Sequence, residues 1–419
     1  MNQTGVTIMT EDIPKGWRKV KLGDVCELLK GSGLSKEKLT PNGKHSCILY
    51  GELYTVYDEI IKTVKSKTDS EEGIPSKKGD ILVPGSTTTI GIDLAKGVAL
   101  NQDGVLLGGD INILRKIDDS YNSEYLAYYI THIKKYEISK LTQGSTIIHL
   151  YGKNLKKIDL LLPPLEFQNK IAEIIKTNDE TIYETEKIIN ECERIKIGLM
   201  QTLLTKGIPG KHKKFKKTEI GEIPENWKIK KIFEIADTYA GGTPLRSIST
   251  YYEGNIPWVK SGEVNQKLIY DTEERISNDA IKNSSAKLIP KNAILVALYG
   301  ATAGKIGILK IEGTSNQAVL AVVPKNDSIN YQFIYYILSS YTKRILQTTQ
   351  GSGQPNLSKN IIDSLKITLP ELEEQNEIVR ILSTVEQRID DETRKQQQLI
   401  KLKLSLMQKL LSGEIRVRV

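Results

Sequence analysis

Leu162-Pro163-Pro164-Leu165-Glu166-Phe167-Gln168-Asn169 and Leu369-Pro370-Glu371-Leu372-Glu373-Glu374-Gln375-Asn376 are one phrase written twice, 207 residues apart. Downstream of it the offset is fixed: Leu199-Met200-Gln201 matches Leu406-Met407-Gln408, and Leu203-Leu204 matches Leu410-Leu411. Upstream the offset drifts. Ile13-Pro14…Trp17 recurs as Ile223-Pro224…Trp227 at 210, and Asn101-Gln102 as Asn316-Gln317 at 215. Thr142-Gln143-Gly144-Ser145 returns as Thr349-Gln350-Gly351-Ser352 at 207. Loops absorb insertions at small cost, whereas packed helices do not. Each copy therefore reads as a loop-rich head followed by a length-constrained helix, a duplicated two-part unit rather than a solenoid.

The apolar spacing after each proline is helical. Ile171, Ile175, Asn178, Ile182, Thr185, Ile189, Cys192, Ile195, Leu199 and Leu203 follow alternating steps of three and four, with one adjustment near Ile195. The second copy gives Ile378, Leu382, Val385, Ile389, Glu392, Gln396, Leu399, Leu402, Leu406 and Leu410. Prolines open both segments, and Gly207 and Gly413 stand where helices stop. About 40 residues at 1.5 Å each make a rod roughly 60 Å long. Such a stripe has to be buried, and the nearest equivalent surface is the other copy. The two helices are expected to pack as an antiparallel coiled coil relating the halves by a pseudo-two-fold axis. The plainer alternative is that each stripe packs on its own head. Asn178, Thr185, Glu392 and Gln396 are polar seam residues able to fix register.

The chain has 419 residues, enough for two to four domains. Hydrophobic residues are 39% and charged residues 26%, too apolar for a mainly disordered chain. No apolar run reaches the roughly 18 residues of a membrane span. The start, Met1-Asn2-Gln3-Thr4-Gly5, lacks a secretion signal. Cys26, Cys47 and Cys192 are too few for a disulfide framework, so a cytoplasmic setting is expected. The formal net charge of +8 favours an anionic partner, of which nucleic acid is the commonest. Lys211-His212-Lys213-Lys214-Phe215-Lys216-Lys217, between the copies, reads as an exposed linker.

Each head mixes short β-rich runs (Ile81-Leu82-Val83, Ile111 to Leu114, Ile294 to Leu298, Ala318 to Val323) with Gly/Ser/Thr turns. Each also carries one aromatic helix candidate, Ser123 to Lys135 and Tyr331 to Lys343. Tyr125, Tyr128, Tyr129, Tyr335 and Tyr336 sit there at helical spacing, which favours core packing over base stacking. Both heads are read as mixed α/β with a twisted, mainly antiparallel sheet. Their loops differ: Gly85-Ser86-Thr87-Thr88-Thr89 stands where the second copy has Gly300-Ala301-Thr302-Ala303-Gly304-Lys305. A kept scaffold with divergent loops suits two readers of two targets.

Catalytic motifs fall away on inspection. Gly300 to Ile306 has three residues between its glycines and no Ser/Thr after Lys305, so it is no Walker phosphate loop. A Gly-rich turn presenting Lys305 to a phosphate fits better. His45, His132, His149 and His212 form no paired ligand spacing with the cysteines, so no metal site is expected. No nucleophile elbow occurs. Asp80 or Glu263 can be posed as nuclease ligands, as can any carboxylate among 51 acidic residues. No methyl-donor loop followed by an adenine-methyltransferase tetrapeptide is found. No catalytic residues and no cofactors are expected.

Glu222-Ile223-Pro224-Glu225-Asn226-Trp227, Gly241-Gly242-Thr243-Pro244, Ile256-Pro257-Trp258-Val259-Lys260-Ser261-Gly262-Glu263 and Asn316-Gln317 resemble one family in order and spacing. So does Gly351-Ser352-Gly353-Gln354-Pro355-Asn356-Leu357-Ser358 running into Leu369-Pro370-Glu371-Leu372-Glu373-Glu374-Gln375. The chain resembles the DNA-specificity subunit of type I restriction–modification systems over nearly its whole length. The first copy departs from the pattern: Gly241-Gly242-Thr243-Pro244 has no clear counterpart near Gly31-Ser32-Gly33, and Thr146-Ile147-Ile148-His149 replaces Gly353-Gln354-Pro355-Asn356.

The resemblance implies an α+β fold of two mixed α/β target-recognition domains separated by two long helices. Its boundaries here are 1–163 and 221–370 for the recognition domains, 164–207 and 371–414 for the helices, 208–220 for the basic linker and 415–419 for a tail. It implies a non-enzymatic subunit that reads a bipartite site in double-stranded DNA, its helices setting the gap, since half-site spacing follows protein geometry. It also implies two methyltransferase subunits docked on it and ATP-dependent restriction/translocase subunits that join later. Lys and Arg are expected on phosphates and polar side chains on base edges. The candidates are Lys36, Lys38, Thr87, Thr88 and Thr89 in the first domain, and Arg246, Lys260, Ser261, Thr302, Lys305 and Gln354 in the second. Ile171, Ile175, Ile182, Ile189, Leu199 and Leu203 are expected at the helix–helix interface, facing Ile378, Leu382, Val385, Ile389, Leu399, Leu406 and Leu410. Trp17 and Trp227 are read as core anchors. The rivals are a stand-alone DNA-modifying or DNA-cutting enzyme, and a scaffold that binds no DNA.

Overall fold

A computed structural model describes residues 13–348 and 357–418. Gln354 lies outside the described residues. Contacts divide the chain into two compact units, one built from residues up to Glu186 together with those from Arg394 onward, the other spanning Lys187–Thr393.

Each unit is organised around a five-stranded sheet of the same order. In the first, Cys26–Lys30, Ile111–Lys116, Asp80–Pro84, Val98–Leu100 and Ile60–Ile61 lie side by side. In the second, Ala236–Ala240, Val319–Pro324, Ile294–Ala297, Ile306–Leu309 and Leu268–Ile269 repeat that order. All pairings are antiparallel except the last in each sheet, where Ile60–Ile61 and Leu268–Ile269 run parallel to their neighbours. The aliphatic runs Ile81-Leu82-Val83 and Ile294-Leu295-Val296 are fully buried, as expected of strands covered on both faces. One face packs on the aromatic helix, Ser123–His132 in the first unit and Tyr331–Thr348 in the second. Tyr125, Tyr128, Tyr129, Tyr335 and Tyr336 are core residues there.

Beside each sheet, a short ribbon ties the start of the head to its end. Arg18–Lys21 pairs with Asp159–Leu162, and Lys228–Lys231 with Lys366–Leu369. The second strand of each ribbon leads through proline into a long helix, Leu165–Leu203 or Leu372–Leu411. Every unit therefore holds one half of each long helix, and the halves run antiparallel. In the first unit Ile171, Ala172 and Ile175, near the start of one helix, share a core with Met407, Leu410 and Leu411, near the end of the other. In the second unit Leu203 and Leu204 share a core with Ile378, Val379 and Leu382.

Ile171, Ile175, Leu203, Ile378, Leu382 and Leu410 are buried, while Ile182, Ile189, Leu199, Val385, Ile389, Leu399 and Leu406 are half-buried. The polar seam residues Asn178, Thr185 and Glu392 are buried as well. The register near the middle differs from the sequence reading. Ile195 and Leu402 face solvent at 54% and 48% exposure. A straight helix lags a 3.5-residue repeat by about 20° per heptad. Here it turns Lys196 and Lys403 toward the interior, where each meets a carboxylate.

Two side chains repeated in the defining phrase pin each helix to its head. Gln168 Oε1 accepts from Asn122 N (2.9 Å), its Nε2 donates to Pro163 O (2.8 Å), and Asn169 Oδ1 accepts from Asn122 Nδ2 (2.8 Å). Gln375 and Asn376 repeat this around Asn330: Gln375 Oε1 accepts from Asn330 N (2.9 Å), its Nε2 donates to Pro370 O (3.0 Å), and Asn376 Oδ1 accepts from Asn330 Nδ2 (2.7 Å). Gln168 and Gln375 are buried, so each unmade bond would strand a desolvated group.

Trp227 is fully buried and its Nε1 donates to Glu374 Oε2 at 3.0 Å. Trp17 is only half-buried, and Phe167, which has no acceptor, stands at the repeat position of Glu374. The segment read as an exposed linker is pinned in part. Phe215–Thr218 pairs with Gly221–Pro224, His212 Nε2 lies 2.6 Å from Glu374 Oε1, and Lys211 pairs with Glu377 at 2.9 Å. We predict that Gln375→Leu, which keeps the side chain's bulk but loses its bonds, destabilises the chain by ~1–3 kcal/mol in denaturant unfolding. A cost under about 0.5 kcal/mol would show that this clamp is incidental.

Candidate functional site

The strand registers place the loops that carry the candidate residues at one end of each sheet. In the first unit Lys30 lies opposite Asn112 and Ile111 opposite Pro84, so the chain leaves toward Lys36 and Lys38, and toward Thr87 to Thr89, from the same end. In the second unit Ala240 faces Leu320 and Ala297 faces Val319, which sends the loops bearing Arg246 and Thr302 to Lys305 out together. Val259 pairs with Ser315 and its carbonyl accepts from Asn316 N at 3.0 Å, bringing Lys260 and Ser261 to that end too. Nine described candidates are exposed or half-buried. Thr87 is not: it is buried in the strand Ser86–Thr87, paired with Ile148–His149. Its Oγ1 accepts from Thr89 N (3.2 Å) and so shapes the loop that exposes Thr88 and Thr89. Buried in this way, Thr87 supports the loop and presents no side chain at its surface.

The cations fall into two classes. Lys38 pairs with Glu72 at 2.5 Å, Lys260 with Glu273 (2.6 Å) and Glu274 (3.3 Å), and Arg246 with Glu274 at 2.5 Å. Lys36 and Lys305 are exposed with no ion-pair partner among the described residues. Lys305 ends an eight-residue hairpin tip between Ala297 and Ile306. Gly300 (φ +84°) and Gly304 (φ +77°) turn the chain there, and Gly304 N donates to Ala297 O at 2.8 Å. That is a β-hairpin, not the strand-to-helix turn of a phosphate-binding loop.

Gly241-Gly242 also gains a physical reason and a counterpart. A Cβ on Gly241 would sit 2.1 Å from Ser315 O, and one on Gly31 would sit 2.0 Å from Gly108 O. Both glycines end the first sheet strand and donate across it, Gly31 N to Ile111 O and Gly241 N to Val319 O. The first copy thus keeps one glycine of the motif, Gly31, although the four-residue motif as a whole has no clear counterpart there.

Sequence reasoning missed several residues on these loop ends: Leu245 (65% exposed), Thr243 with its hydrogen bond to Gln317, and in the first unit Ile147, Tyr151 and Lys153. There His149 stacks on Tyr151 at 5.9 Å, beside a 250 Å³ cavity also lined by Lys30, Lys153 and Lys156. The available signal was the departure Thr146-Ile147-Ile148-His149, which falls in this loop. Asp80 and Glu263, posed as nuclease ligands, serve structure instead. Asp80 takes a two-pronged bond from Arg115 (2.7 and 3.0 Å), and Glu263 accepts from Lys260 N and Glu273 N.

A second feature is repeated along the helices. A cleft of 530 Å³ in the first unit is lined by Ile182, Lys403, Leu404 and Met407, with Tyr128 and His132 above. A cleft of 760 Å³ in the second is lined by the repeat-equivalent Ile389, Lys196, Ile197 and Met200, with Ser339 and Ser340 above. Leu404 and Ile197 are exposed apolar residues. Each cleft lies over a partly buried ionic cluster. Tyr128 Oη donates to Asp179 Oδ2 (2.8 Å), and Lys403 reaches Asp179 Oδ1 (2.7 Å). Tyr336 Oη donates to Glu386 Oε2 (2.8 Å), which Lys267 also reaches (2.8 Å), while Lys196 pairs with Glu386 Oε1. In the first cluster Glu59 adds a charge. Burial alone would raise its carboxyl, but the His132 hydrogen bond at 2.8 Å and the Lys403 charge outweigh this and hold it at about 2.

The family's sequence pattern, the type I restriction modification DNA specificity domain, matches twice, over residues 14–194 and 224–401. The chain belongs to the type I restriction–modification DNA specificity family. The type I restriction enzyme MjaVIII specificity subunit of Methanocaldococcus jannaschii is 30% identical over 97% of this chain and 94% of its own. The MjaIX specificity subunit of the same organism is 32% identical over 97% and 95%. The crystal structure of the type I S subunit from M. genitalium has the same fold, with a TM-score of 0.62 at 17% identity, over 96% of this chain and 97% of that one. The relatives are specificity subunits, so the assignment is to the non-catalytic component of such systems. No helix among the described residues is long and apolar enough to cross a membrane.

The Glu59 cluster yields a pH prediction. Its folded value of about 2 lies below the ordinary 4.5, so its contribution is complete above pH 4.5 and is lost as pH falls toward 2. Glu59→Gln should lower stability at neutral pH and flatten the decline between pH 5 and 2 in denaturant unfolding. Parallel pH curves for the two proteins would exclude this role.

Proposed function

We propose that the chain is the sequence-specific DNA-binding subunit of a type I restriction–modification enzyme, working in the cytoplasm. Each recognition domain, residues 1–163 and 221–370, reads one half of a bipartite site. The observation that carries this reading is a repeated sheet whose order is kept while the loops at one end differ in length and chemistry. A single reader would have no use for two unlike loop sets on one scaffold. Lys36 and Lys305, exposed and unpaired, suit phosphate contacts, while Thr88, Thr89, Ser261, Thr302 and the outlying Gln354 suit base edges or sugar. The long helices, 164–207 and 371–414, act as the spacer between half-sites.

The paired clefts favour a partner present in two copies, because equivalent surfaces bind equivalent ligands. We assign them to two methyltransferase subunits, which supply the methylation chemistry, with ATP-dependent restriction subunits joining that assembly. The polar seam and the ionic clusters below the clefts fix the register on which both dockings depend.

Binding of the full chain to a split-site duplex should fall steeply with salt, as phosphate contacts release counterions. Lys305→Ala should weaken binding to all sequences alike and reduce the salt slope by about 1. A loss confined to one base position would reassign this lysine to base reading. Adding one heptad to both helices preserves the seam and lengthens the spacer by ~10 Å. That should widen the recognised gap by about 3 base pairs at ~3.4 Å each. An unchanged gap would show that the helices do not set it.

A further inference from the structure

Arg246, on the loop end of the second unit, is held by two rings and a carboxylate. Its guanidinium carbon lies 4.1 Å from the centre of the Tyr252 ring and 5.0 Å from that of Trp258. The two rings meet edge to face at 5.8 Å. Both are tied back to the loop that carries Arg246: Tyr252 Oη donates to Pro244 O (2.7 Å) and Trp258 Nε1 donates to Gly242 O (3.0 Å). Glu274 Oε2 accepts from Arg246 Nη1 at 2.5 Å and fixes rotation in the plane. The side chain is nevertheless 54% exposed, so part of the guanidinium fork stays open to solvent.

We propose that Arg246 reads a guanine in the half-site of the second recognition domain and that Glu274 is its positioning residue. The proposal rests on the DNA-binding reading above. Two arguments select a base over a phosphate. Arg246 and Lys260 share their surroundings with Glu273 and Glu274, two cations against two carboxylates, so the cluster is close to neutral. A phosphate on Arg246 would also approach the Glu274 carboxylate and be repelled. Guanine O6 and N7 offer two acceptors without net charge, matched to the arginine fork. Stacking on Tyr252 leaves the fork in a defined plane before DNA arrives, which lowers the ordering cost of a two-pronged bond. Leu245, 65% exposed on the same loop, adds an apolar surface for a neighbouring sugar or thymine methyl.

The test is selection by the full chain from duplex DNA randomised over both halves of the site. Wild type should enrich a split motif with an invariant guanine in the half read by the second domain. Arg246→Lys keeps the charge but loses the fork; it should lose that guanine by roughly 5- to 100-fold, with other positions and the salt slope unchanged. Glu274→Gln should relax the same position to a smaller degree, with unfolding midpoints of both variants near wild type. Equal weakening of all sequences by Arg246→Lys and Arg246→Ala would make Arg246 a phosphate contact and overturn the proposal. An unchanged motif would overturn it too. If wild type itself enriches no motif, the DNA reading fails first and takes the proposal with it.

Discussion

A helix of about 40 residues with an apolar stripe cannot leave that stripe wet, and everything else in this chain is arranged around its burial. Each long helix gives its two halves to different units, and within each unit it meets the opposite end of its counterpart. Neither head is then complete on its own stretch of sequence. The core of the first needs Met407, Leu410 and Leu411, and the core of the second needs Leu203 and Leu204. This explains why the repeat offset is locked from Leu162 onward and loose before it. An insertion in a helix would shift every contact beyond it, while one in a head loop shifts none.

The ionic clusters show how the same geometry tolerates divergence. Asp179, Lys403 and Tyr128 correspond to Glu386, Lys196 and Tyr336, with the carboxylate and lysine exchanged between the two helices as the antiparallel arrangement requires. The residue just before the parallel edge strand joins each cluster, as Glu59 in one copy and Lys267 in the other. Its charge has reversed. Each copy compensates differently, with His132 beside Glu59 and Asp390 beside Lys267. A buried charge is costly unless paired, so a reversal at one position persists only with a partner change nearby.

The parts legible in the sequence are those with a period or a repeat. The helices, the duplicated heads, the tyrosine-rich helix and the strands Ile81 to Val83 and Ile294 to Val296 all carry such a signal. The mid-helix register did not, because a strict heptad count drifts against the true helical period and carries Ile195 into a seam that Lys196 occupies. The clamps were visible only as repeated letters. Gln168 meets Asn122 and Gln375 meets Asn330 across some 45 residues, and no local pattern encodes that reach. The loop chemistry was least legible of all. Thr87 looks like Thr88 and Thr89 in sequence, yet pairing with Ile148–His149 buries it and leaves its neighbours outside.

Charge pairing on the loop ends sorts the cations by what each would have to exchange on meeting DNA. A surface lysine held by a carboxylate has to exchange that partner for a phosphate, so its net gain on DNA is small, whereas an unpaired one exchanges only water and counterions. Lys36 and Lys305 therefore suit the sequence-independent part of binding. The paired Arg246 contributes little long-range attraction, but its plane is set in advance by Tyr252 and Glu274. On the proposal made for Arg246, a head built this way can change the base it reads by altering a few side chains around one fixed cation. Its hold on the backbone would stay as it was, because that depends on different residues.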